Sequence, residues 1–271
     1  MAEHDPLSPV AVLQSAVQDF AGVAEQRSEA FELCLLPVNV DHSSIRFQPG
    51  APPYLRELAS YAGGYELGSE TVMWDPTSTG GLSLPVAMDD PWVIQVDDGG
   101  SFSAIDISPE GVWGAVYRFV HDPDLLAYES PSLGEWLATR LNLHLSLTPL
   151  TRSDDAAEVY DTELYELLDC PPGVAGACDL SLGRAGDIRT SDPVLQDFCA
   201  TLPPDAVVSD FRDARRGDYT DLLLPFFDDD DWARAGSLPL FAILPGTAPA
   251  VPPGLPGLPP LPPRTFGRRR E

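Results

Sequence analysis

The chain has 271 residues, 44% of them hydrophobic, which is enough to bury a core and too apolar for a disordered protein. Sixteen basic residues stand against 42 acidic ones, a formal charge of −26, and every basic residue is arginine. The absence of lysine excludes a phosphate-binding P-loop, Schiff-base and pyridoxal chemistry and a protein kinase, and the acidity disfavours direct nucleic-acid binding, which draws on clustered cations.

Ser8-Pro9 places an N-cap before proline at the first helical position. Val10, Leu13, Val17, Phe20 and Ala24 then recur at helical spacing, which predicts a helix to Arg27. The apolar run Phe31–Val40 predicts a strand, followed by a polar, turn-rich stretch to Gly50. Pro52-Pro53 opens a second helix with Tyr54, Leu58 and Tyr61 on one face, and Gly63-Gly64 is expected to end it through the left-handed conformation that glycine adopts cheaply.

Beyond that point the pattern becomes strand-like, over Trp92–Val96, Phe102–Ile107, Val112–Val120 and Leu125–Glu129, with Asp97-Asp98-Gly99-Gly100 as the turn joining the first two. Ser132-Leu133-Gly134-Glu135 reads as a capping box that starts a helix through Trp136, Leu137, Leu141 and Leu145. Helices flanking a run of adjacent strands predict an α+β fold with a mainly antiparallel sheet, in a first domain of residues 1–147 that closes with its own capped helix and is expected to fold alone.

Residues 148–245 read as a second, smaller α+β region of unknown type. Asp154 or Asp155 can cap a helix carrying Ala157, Tyr160, Leu164, Leu167 and Leu168, broken by Pro171-Pro172-Gly173. Asp192-Pro193 begins a short helix with Leu195, Phe198 and Cys199, Asp205 is expected to cap a third, and Tyr219–Phe227 and Leu238–Leu244 read as strands. Residues 246–271 are Pro, Gly and Ala with scattered Leu, and carry four arginines against one glutamate. This composition buries too little apolar surface to fold and predicts an extended Pro-rich tail with a basic end.

Cys34, Cys170, Cys178 and Cys199 form no Cys-x-x-Cys pair and have no histidine at ligand spacing, so reduced thiols are expected, with neither a metal nor a cofactor. The start Met1-Ala2-Glu3-His4-Asp5 is acidic, unlike the basic start and apolar run of a signal peptide, and no segment approaches the ~20 apolar residues of a membrane span. A cytoplasmic protein is the expectation.

Few constellations carry chemistry. His121 and Asp122 are neighbours that point apart on a strand, without a nucleophile nearby, and His4, His42 and His144 have no ligand-spaced partner, so no catalysis is expected. Asp97, Asp98 and Asp106 read as a tight turn with solvated aspartates rather than a metal site, and Trp92, Trp113 and Trp136 as core or groove-lining aromatics. The run Asp228-Asp229-Asp230-Asp231-Trp232 has two readings. It is a solvated loop whose last aspartate caps a short helix from Trp232-Ala233-Arg234, or an acidic patch with an aromatic anchor that grips a cationic partner.

The order of the central motifs resembles the SUKH superfamily, which takes in Smi/Knr-type regulators of cell-wall glucan synthesis and many bacterial immunity proteins. Pro91-Trp92-Val93-Ile94-Gln95-Val96 is similar to its strand, Asp97-Asp98-Gly99-Gly100 to its Asp-Gly-Gly turn, and Ala104-Ile105-Asp106-Ile107 to its apolar-Asp-apolar step. Gly111 and Gly114 then precede Ala115–Asp122, which looks like the next strand and its His-Asp exit, and Ser132–Leu137 looks like the closing Ser-aromatic-x-x-Trp-Leu helix, with Leu133 in place of the aromatic. Pro53–Leu58 with Gly63-Gly64 resembles the upstream helix and turn, although Leu36-Pro37 lies well before Tyr54. The likeness covers residues 30 to 145.

What the resemblance implies is a binding module without catalysis: an immunity or antitoxin-like protein that neutralises a toxin, often a nuclease domain. The alternative is a regulatory scaffold that docks onto cellular enzymes. The acid balance suits a basic protein partner, and Asp97, Asp98, Trp113, Asp228, Asp229, Asp230, Asp231 and Trp232 are the expected partner-binding residues.

Overall fold

The computed structural model describes residues 7–23, 32–38, 53–68, 70–74, 91–97, 99–108, 113–121, 124–147, 162, 164, 177–221 and 232–245. Helix α1 (Pro9–Gly22) begins as its sequence dictates, with the Ser8 hydroxyl accepting from the Ala11 N–H and Pro9 at the first helical position. Val10, Leu13, Ala16 and Phe20 form its buried face, and it ends at Gly22, short of the expected Arg27. Strand β1 (Cys34–Leu36) follows, then α2 (Pro53–Tyr61), whose buried face is Leu55, Leu58 and Ala59, while Tyr54 and Tyr61 are half-buried.

The reason for Gly63-Gly64 differs from the expected left-handed helix end, since neither residue has a positive φ. Gly63 runs so close to the chain after β1 that a Cβ would lie 2.5 Å from the Pro37 carbonyl oxygen, and one on Gly64 would overlap the Val72 carbonyl. The two glycines are there for close approach of backbones. Gly64 opens β2 (Gly64–Leu67), which pairs with β3 (Glu70–Met73), a hairpin absent from the sequence reading.

The strands β4 (Trp92–Val96), β5 (Phe102–Ile107), β6 (Trp113–His121) and β7 (Asp124–Ser130) follow the expected spans closely, and α3 (Leu133–Leu147) starts at Ser132, whose hydroxyl accepts from the Glu135 N–H at 3.3 Å. The later elements are β8 (Ser181–Arg184), α4 (Pro193–Thr201) capped by Asp192, β9 (Val207–Asp210), β10 (Tyr219–Asp221), β11 (Trp232–Arg234) and β12 (Leu240–Ile243). Asp205 caps no helix. It lies in a turn after Pro203-Pro204, and the β-branched pair Val207-Val208 takes the chain into β9. Trp232-Ala233-Arg234 is a strand rather than a helix start, because β12 supplies its backbone partners, with Trp232 opposite Ile243. The helix expected around Ala157–Leu168 and the tail from Gly246 fall outside the described residues, apart from Thr162 and Leu164.

The fold is α+β. One antiparallel sheet has the order β1-β2-β3-β4-β5-β6-β7-β10 and a smaller one the order β11-β12-β9-β8. Alternation along the strands divides the molecule into four layers. Ile94, Ile105 and Val116 face α1, α2 and α3 together with Trp74, Trp92 and Trp136. Val93, Phe102, Tyr117 and Phe119 face the opposite way and pack against Phe211, Phe241 and Ile243 of the small sheet. The other side of that sheet, Val208, Leu240 and Ala242, is covered by Leu195 and Phe198 of α4. The large sheet continues past residue 147, since β10 pairs with β7 and places Tyr219 opposite Ala127. No helix of the described residues is long and apolar enough to cross a membrane.

Candidate binding site

Asp97 follows β4 and shapes the turn there: its Oδ1 accepts from the Ser101 N–H at 2.8 Å, and Gly100 takes the left-handed φ of 85° that the turn requires. Its Oδ2 accepts from Arg118 Nη2 at 2.7 Å. Arg118 is buried on the helix side of the sheet, with Nη1 at 3.3 Å from Gln95 Oε1 and 3.5 Å from Ser103 Oγ. Asp97 is therefore the counter-charge of a buried guanidinium as well as a rim aspartate, its side chain one-third exposed. Asp98 lies outside the described residues, as do Asp228, Asp229, Asp230 and Asp231.

The two expected aromatic anchors do not meet. Trp113 is half-buried against the helix-side core, tilted onto Trp92 with ring centroids 5.3 Å apart, and its Nε1 has no hydrogen-bond partner among the described residues. Trp232 is half-buried against the inter-sheet core on the other side of the large sheet. Asp106 also departs from the sequence reading. It is buried rather than solvated, and its two carboxylate oxygens accept from Arg234 Nη1 at 2.6 Å and Nη2 at 2.8 Å, a bidentate pair joining β5 to β11.

That pair borders a cleft of about 220 Å³ between the sheets, lined on one side by Tyr117, Tyr128 and Pro131 and on the other by Phe211, Arg212 and Pro239. Tyr117 stands among aromatic edges, with centroids 5.7 Å from Tyr128, 5.6 Å from Phe211 and 5.8 Å from Phe241. Burial, and next the charge of Asp106, push its phenol far above the ordinary range, so it keeps its proton. Burial and then Glu135 push Tyr128 up to about 12. Arg212 is held by Asp210 and Asp192, each with a carboxylate oxygen 2.6 Å from Nη2.

Sequence reasoning missed a second polar cluster, beneath α3. Glu70 on β3 accepts from the Tyr65 hydroxyl at 2.6 Å and from Arg140 Nη2 at 3.1 Å, with His144 Nε2 2.9 Å from Oε2. Arg140 also reaches Glu129 at 3.3 Å and lies over the Trp136 ring. The available signal was the spacing of Arg140 and His144, four apart on the helix face that carries Trp136 and Leu137. No group of three or more His, Cys, Asp or Glu among the described residues could hold a metal ion. Compared with protein families, curated proteins and solved structures, the chain matches none of them.

Proposed function

We propose that the chain is a non-catalytic binding protein of SUKH type, an immunity or antitoxin-like protein that neutralises a basic toxin domain by occupying its surface. The observation that carries this reading is the antiparallel run β4 to β7, with the Asp97 turn between its first two strands and the Ser132-capped α3 after it, in the motif order of that superfamily. The charge of −26 supports a cationic partner, because a nuclease surface that holds nucleic acid is basic and an acidic protein can cover it. Charged clusters among the described residues are engaged in internal pairs, which favours binding over acid–base chemistry.

The test is co-purification from native lysate, followed by an activity assay on the recovered partner. One basic toxin whose activity falls to zero at equimolar chain supports the reading. An acidic partner, or a partner whose activity is untouched, overturns it, and a set of cell-envelope enzymes would indicate a regulatory scaffold instead.

A further inference from the structure

We propose that the face of the large sheet over β1, β2 and β3, beyond the reach of the small sheet, is a docking surface for the chain's own C-terminal segment, which lies on it as a polyproline II helix. Val96 on β4 pairs with Phe102 of the inter-sheet core and so points to the same side of the sheet. That side continues outward. Cys34 lies opposite Glu66 and Glu66 opposite Thr71, while Leu36 and Met73 flank Gly64. The inter-sheet core includes none of Leu36, Met73 and Val96. Val96 is 45% and Met73 37% exposed, Cys34 and Glu66 are exposed, and Leu36 and Thr71 are half-buried.

The period of the C-terminal sequence fits this face. Leu255, Leu258, Leu261 and Arg264 recur at every third residue among prolines. A polyproline II helix has three residues per turn and rises ~3.1 Å per residue, so these four side chains fall on one edge, about 9.3 Å apart. Strands are spaced about 4.8 Å, so alternate strands stand about 9.6 Å apart, and a helix laid across the strands keeps its leucines in step with them. Leu36 on β1 and Met73 on β3 are one such pair of positions. The segment can reach. It follows β12, whose sheet packs on this side of the large one at about 10 Å, and residues 246–254 extend to about 28 Å before Leu255. Charge favours the same occupant, because residues 246–271 carry four arginines and one glutamate in a chain of charge −26, and Glu66 stands exposed within the face. Proline orders the backbone in advance, and tethering supplies an effective concentration of about millimolar, so a weak apolar contact is enough.

Cys34 reports on the face, where it is exposed, and Cys178, exposed ahead of β8, is the internal control. In the full chain, alkylation read by peptide mass spectrometry should modify Cys34 about tenfold more slowly than in the variant Leu255→Ser, Leu258→Ser, Leu261→Ser, with Cys178 unchanged. Met73→Ser with Val96→Ser should release Cys34 equally while the leucines stay intact. One glycine inserted between Leu258 and Pro259 keeps the composition but breaks the stripe, and should release it too. The proposal is overturned if Cys34 reacts as fast in the full chain as in the triple-serine variant, or if either the face variant or the inserted glycine leaves its protection intact. Protection that grows with protein concentration would give the face to the segment of a second copy and overturn the assignment to the same chain. The proposal stands independently of any toxin, since no other protein takes part in the measurement.

Discussion

Glu70 is 5% exposed and lies under α3 with Tyr65, Arg140 and His144 on its carboxylate. Burial alone would raise its pKa, but the Arg140 charge and the bonds from His144 and Arg140 outweigh that and hold it far below its ordinary 4.5. A carboxyl depressed in the folded state binds fewer protons there than in the unfolded chain. Its stabilisation is complete above pH 4.5 and is lost as the pH falls towards the depressed value. Thermal melts should therefore show a falling midpoint below about pH 4.5 that flattens in Glu70→Gln. Arg140→Met should cost about 3–5 kcal/mol in urea denaturation, because it strands a buried carboxylate.

Asp97 shows why a rim aspartate is a poor probe of binding here. Asp97→Ala leaves the Arg118 guanidinium without its carboxylate, and about 2 kcal/mol of folding stability should go with it, measurable by chemical denaturation in the absence of any partner. Any loss of binding in that variant has to be read against its loss of stability.

Among the elements, α3 depends on two small residues. Ser132→Ala removes the cap of the free Glu135 amide and should lower stability by about 1 kcal/mol. Gly134→Ala should cost more, since a Cβ there would overlap the Leu7 carbonyl and push α1 and its leading segment off the helix. A larger drop in melting temperature for Gly134→Ala than for Ser132→Ala is the expected order. Such details explain what was legible in the sequence. The strands β4 to β7 and the start of α3 could be read because alternation, the Asp-Gly turn and the capping box are local signals. The hairpin β2–β3 could not, because Gly64–Leu67 and Glu70–Met73 are four residues each and Glu70 reads as a surface charge. Asp106 looked like a solvated aspartate because its partner, Arg234, lies 128 residues away. The cleft was illegible for the same reason, since its walls come from β5, β6 and β7 on one side and from the chain after β9 on the other.

For the whole molecule the governing fact is that the large sheet is covered on both faces, by α1–α3 on one and by the small sheet on the other. Residues 1–147 taken alone would lack β10 and expose Val93, Phe102, Tyr117, Phe119 and Leu126. A fragment ending at Leu147 should bind a hydrophobic dye and associate, and a monomeric, dye-silent fragment would show that the small sheet is dispensable. The charge of the chain bears on kinetics. Association with a basic partner should slow steeply with salt, because the screening length shrinks from about 10 Å at 0.1 M to about 3 Å at 1 M, while dissociation changes little.

The dependence of the first sheet on residues near the other end of the chain also sets a schedule for biosynthesis. The roughly one hundred residues between the end of α3 and the end of β12 take about 5–20 s to translate at about 5–20 residues per second. For that interval the nascent chain carries an uncovered aromatic sheet face and an unpaired β7 edge, both open to neighbouring chains on the same message. Slower elongation would lengthen the exposure rather than relieve it. Holding chaperones that occupy this face until Phe241 and Ile243 emerge should thus raise the yield of soluble protein without changing the stability of the finished fold.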